Sequence, residues 1–62
     1  MKKEVSMVMM SHLSDAQHLM ESGFTLEANK CINFAKLLLI MHNDDMNKEI
    51  SDEEIANLWD KV

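Results

Sequence analysis

Proline is absent from this chain and glycine occurs once, at Gly23. These two residues punctuate regular structure more strongly than any others. A chain of 62 residues with one such break is expected to be helical on both sides of it. The break falls at Ser22-Gly23, and glycine is the usual residue just past a helix end.

Hydrophobic spacing supports the same division. Val5, Val8, Met9, Leu13, Ala16, Leu19 and Met20 recur at intervals of three and four, which predicts a helix from about Lys3 to Ser22. A second helix is predicted from Thr25 to His42, with Thr25 as N-cap and Glu27 in the positive first turn. Ala28, Cys31, Ile32, Ala35, Leu38 and Leu39 form one stripe on it. Leu26, Phe34, Leu37 and Met41 form another, and Ile40 leaves the last turns apolar nearly all round. A helix of that kind is covered on more than one side. Asn43 to Glu49 reads as a polar connector. Ser51 and Glu54 then make a capping box, Ile50 and Ile55 a hydrophobic staple, and Ile55, Leu58, Trp59 and Val62 the face of a short third helix.

The expected fold is therefore all-α: one small domain over residues 1–62, an antiparallel helical hairpin plus a short third helix, completed by self-association. Gly23-Phe24-Thr25-Leu26-Glu27-Ala28, followed by Ile32 and Ala35, resembles the part of a tetratricopeptide repeat that runs from its glycine into its second helix. The likeness covers residues 16–38, with Ala16 and Met20 in the first helix. It lacks the repeat's tryptophan, tyrosine and closing proline. What it implies is close packing of a helical hairpin, with Ala16, Ala28 and Ala35 admitting the near approach of two backbones. One such unit buries its face only against a neighbour.

Size points the same way. A domain of about 60 residues buries only about 60% of its unfolded surface and usually needs a disulfide, a metal or a partner subunit. The single cysteine, Cys31, excludes an internal disulfide and reads as a small buried hydrophobe suited to a reducing compartment. Seven methionines suit an adaptable binding face. Met7, Met10, Phe34, Leu37, Met41 and Trp59 are the expected interface, because Met7 and Met10 lie off the main stripe and the third helix is too short to cover the whole second stripe.

The net charge is −5, all of it contributed by residues 43–62, where seven acids face two lysines. No basic footprint exists for direct nucleic-acid binding. No apolar run is long enough for a membrane span, and the run from Met7 to Met10 is too short for a signal peptide. The expectation is a soluble cytoplasmic protein, in the host-cell cytoplasm if encoded by a phage.

Three histidines and the acidic connector are the candidates for chemistry. No pair of histidines has the spacing of a helical zinc site, and His42 at a helix C-terminus answers the helix dipole. Residues 43–54 resemble an EF-hand calcium loop. Asn43, Asp45 and Asn47 fall at its first ligand positions, Glu49 at its backbone-carbonyl position and Glu54 at its bidentate position. Lys48 stands where that family places a glycine for a sharp turn, and Asn43 where it places an aspartate. The cap and staple account for Ile50, Ser51, Glu54 and Ile55 without an ion.

No nucleophile–base pair and no glycine-rich phosphate loop can be found, so neither catalysis nor a cofactor is expected. The leading expectation is a self-associating protein–protein interaction module, most simply a dimer, acting as an accessory or inhibitor on a larger protein. Its style resembles small phage or bacterial accessory proteins. The alternative is a degenerate EF-hand-like calcium binder.

Overall fold

The computed structural model describes residues 1–62. The order of elements is β1 (Lys2–Glu4), α1 (Val5–Glu21), α2 (Thr25–His42), β2 (Glu49–Ser51) and α3 (Asp52–Trp59). The chain is mostly helical, and α1 packs on α2 as a hairpin.

The turn between them follows from Gly23, whose φ of 86° lies in the left-handed region. Phe24 N–H donates to the Leu19 carbonyl at 2.8 Å and Gly23 N–H to the Met20 carbonyl at 3.1 Å, a Schellman closure. Thr25 is not the cap of α2. Phe24 holds that position without a side-chain hydrogen bond, and Thr25 is already helical. The small residues do lie inside, with Ala16, Ala28 and Ala35 all buried.

A two-stranded ladder qualifies the all-α expectation. β1 and β2 are antiparallel, with Lys2 opposite Ser51, Lys3 opposite Ile50 and Glu4 opposite Glu49. The first helix therefore begins at Val5 rather than Lys3, and Glu49 belongs to a strand rather than to the connector. Glu4, the N-cap of α1, offers no side-chain cap. The connector replaces it: Val5 N–H donates to the Lys48 carbonyl at 2.9 Å and Ser6 N–H to the Met46 carbonyl at 3.1 Å. Two donors that a helix start leaves without intrahelical partners are satisfied in this way.

α3 begins as expected. Ser51 is its N-cap, and the Ser51 hydroxyl accepts from Glu54 N–H at 3.1 Å. Asp52, Glu53 and Glu54 occupy its positive first turn. Ile50 does more than staple the helix, for it is buried with Val5, Val8, Phe34, Leu38 and Leu58 in the main core. A smaller cluster of Ala16, Ala28 and Cys31 fills the far end of the hairpin. Trp59 packs against both clusters and joins them.

Phe34 requires a correction. It was expected to need a cover from outside the chain, but it is completely buried in the core of the single chain. α3 reaches further than its length suggested, because the ladder anchors its start and brings Trp59 over Phe34. Leu37 is half-buried against the same core, whereas Met41, Leu39, Ile40 and Leu26 stay exposed. His42 lies in the last turn of α2, as expected, with its ring buried and its Nε2 without a hydrogen-bond partner.

Candidate functional site

An open groove lies between α1 and α3, closed at one end by the ladder. Its volume is about 780 Å³. One wall is a strip of α1 formed by Met7, Val8, Ser11 and His12. The other is Asp52, Ile55, Ala56 and Trp59. Those four are spaced i, i+3, i+4 and i+7, which places them on one face of α3. Lys2, Lys3, Glu4 and Glu49 form the ladder end. The floor is thus apolar and aromatic, and the rim carries both signs of charge.

Three rings hold the floor in place. His12 lies 4.5 Å from Phe34 and 5.4 Å from Trp59, centroid to centroid. Phe34 and Trp59 meet edge to face at 5.3 Å, an arrangement favoured by the ring quadrupoles. The Lys30 ammonium sits 4.5 Å from the centroid of the Trp59 ring, a cation–π contact. His12 Nδ1 is 2.9 Å from the Val8 carbonyl. A carbonyl only accepts, so Nδ1 is the donor in this contact.

At the ladder end, Asp52 draws Lys3 Nζ to 3.7 Å of its Oδ1 and the Met1 ammonium to 4.0 Å of its Oδ2. Both pairs are exposed, so they orient the rim more than they stabilise the fold. Asp52 N–H also donates to the Met1 carbonyl at 3.2 Å.

Of the residues expected at an interface, Met7 and Trp59 come together here. Met10 is exposed but lies further round α1, Met41 is elsewhere on α2, and Phe34 lies beneath the floor in the core. Val8, His12, Ile55 and Ala56 were not singled out as interface residues. The spacing of Asp52, Ile55, Ala56 and Trp59 was a signal for one wall. Nothing local to the sequence places α1 opposite it.

The residues that resemble a calcium loop lie in the connector, β2 and α3. Asn43 is the helical C-cap of α2, Asp45 N–H donates to the His42 carbonyl and Lys48 N–H to the Asp45 carbonyl. Gly23 alone in the chain has a positive φ, so Lys48 does not make the left-handed turn a glycine would supply. Glu49 pairs with Glu4 in the ladder, and Glu54 lies in the first turn of α3. Asn43, Asp45, Asn47, Glu49 and Glu54 are all exposed, and no three His, Cys, Asp or Glu residues converge anywhere in the chain. No helix is long and apolar enough to cross a membrane. Comparison with family models, with curated proteins and with solved structures gives no match.

Proposed function

We propose that this chain is a protein–protein interaction module, and that the groove beside Trp59 receives an apolar segment of a larger protein. The observation that carries this reading is the groove itself: an apolar lining of Met7, Val8, Ile55 and Trp59 bordered by the charged side chains of Lys2, Lys3, Glu4, Glu49 and Asp52. An apolar centre with a polar, charged rim is the usual anatomy of a binding face. Tryptophan is enriched among residues that dominate binding energy, and methionine adapts its shape to a partner. A rim of both signs favours a protein segment bearing both charges over a uniformly charged polymer. The role is binding rather than catalysis, in the manner of a small accessory or inhibitor protein.

Ala56→Arg tests it. Ala56 is exposed on the groove wall, so a long side chain there obstructs the groove while leaving the buried core untouched. Proteins retained from the native cell by the parent chain and by this variant are compared, and a retained protein is then purified and titrated against each. The expected result is a partner that shifts Trp59 fluorescence on binding and is lost with Ala56→Arg. Equal retention by both chains, or binding without any change at Trp59, overturns the groove as the site.

A further inference from the structure

The side of the hairpin that faces away from α3 is also unpartnered. A helix turns by about 100° per residue, so the contacts of a few residues orient the rest. On α1, Val8, Ser11 and His12 lean toward α3 and line the groove. Met9, Leu13 and Met20 therefore lean the other way. On α2, Phe34 and Lys30 meet Trp59 and define the α3 side. Ile32 and Leu39 lie on the opposite flank. Because α1 and α2 run antiparallel, these two flanks belong to the same broad face. Met9 and Ile32 are half-buried between the helices, while Leu13, Met20 and Leu39 keep 44%, 51% and 46% of their surface in water.

We infer that this face is covered by the same face of a second copy, so that two hairpins form a four-helix arrangement. Charge selects the occupant. The chain carries a net charge of −5, and two copies in contact repel wherever carboxylates meet. A two-fold contact sets a patch against itself, so carboxylates without a basic partner on that patch oppose pairing. This patch is free of them. Of the acids in α1 and α2, Asp15 acts on the Cys31 thiol together with Lys30, on the side of Trp59. Glu21 and Glu27 fall about a quarter turn or more from the strip. The seven remaining acids beyond α2 lie in the connector, β2, α3 and the residue that caps it. A basic partner would find nothing to pair with here, and an acidic one only Lys36 near the edge.

The inference is independent of the groove, which opens on the other side and stays accessible in the pair.

Sedimentation equilibrium of the full chain from micromolar to millimolar concentration tests it, alongside Leu13→Glu and Met7→Glu. The parent chain is expected at about twice the 7.2 kDa chain mass. Leu13→Glu is expected at the mass of one chain with its helical circular dichroism retained, and Met7→Glu, on the groove side, at twice the mass. Should Leu13→Glu fail to fold, Met20→Lys at the more exposed end of the strip repeats the test. A parent chain that stays single throughout overturns the inference. So does a folded strip variant that still pairs, or dissociation by Met7→Glu alone, which would put the contact in the groove.

Discussion

The backbone N–H of Val5 donates to the carbonyl of Lys48 at 2.9 Å, so the first turn of α1 is capped by the segment that leads into α3. Val5 and Ile50, the residue opposite Lys3 in the ladder, are both buried in the main core. Removing the Ile50 side chain therefore acts on a helix distant in sequence. Ile50→Ala is expected to cost about 2–5 kcal/mol. A chain this small has only a few kcal/mol in all, so the variant should be largely unfolded or close to it. Urea denaturation gives the loss. Hydrogen exchange on any remaining folded population should show Val5 and Ser6 amides losing protection before the middle of α1 does.

Trp59 contacts both core clusters, His12, Phe34 and Lys30. Trp59→Ala should therefore destabilise the chain by about 3 kcal/mol, the low end for a large aromatic because the ring is only half-buried. Lys30→Met keeps the aliphatic stem and removes the ammonium. It should cost about 0.5–1 kcal/mol and alter Trp59 emission in the folded state. Urea titrations followed by fluorescence and by circular dichroism check both, and an unchanged midpoint for Lys30→Met would mean that the cation–π contact contributes nothing.

His42 is 6% exposed, and its Nε2 has no partner. An unmet buried nitrogen costs about 1–3 kcal/mol, while an apolar side chain of similar size carries no such penalty. His42→Leu is expected to raise the melting temperature. A lower value would indicate that the imidazole has a hydrogen-bonding role that its Nε2 geometry does not reveal.

Burial pushes the Cys31 thiol above its ordinary value of 9.0, the Asp15 carboxylate adds to the rise and Lys30 opposes it. The folded chain therefore holds a proton that the unfolded chain releases. The corresponding stability is fully present below pH 9.0 and is lost as pH rises from there through the folded value. Cys31→Ala should remove that part of the alkaline decline in the urea midpoint. In the native protein the thiol should react slowly with an aromatic disulfide reagent at neutral pH, and quickly once unfolded.

The helices were legible because one glycine and a three-to-four spacing leave few alternatives. Ser51 and Glu54 announced α3 through side chains. The ladder was not legible, since a three-residue strand is too short to show an alternation. The capping of α1 was equally hidden, because the Lys48 and Met46 carbonyls carry no side-chain signature. Phe34 was misplaced because α2 is apolar around most of its circumference, and periodicity alone cannot say which flank a third helix takes. Only half of the groove could be read: α3 presents its wall at regular spacing, but β1 and α1 are brought to it by tertiary structure.

The pairing of Lys2 with Ser51 has a consequence for the order in which the molecule assembles. It encloses a loop of about 50 residues, and the entropic cost of closing a loop rises with its length. The α1–α2 hairpin turns through Gly23 and needs only a short excursion of chain, so it should collapse first. The ladder acts as a late clasp that recruits α3 and completes the first turn of α1 in the same event. On a ribosome that event waits until Ser51 has been released, a few residues after the hairpin ends at His42. Nascent chains arrested before that point should show a helical hairpin with a frayed beginning, which site-specific exchange at Val5 and Ser6 would detect.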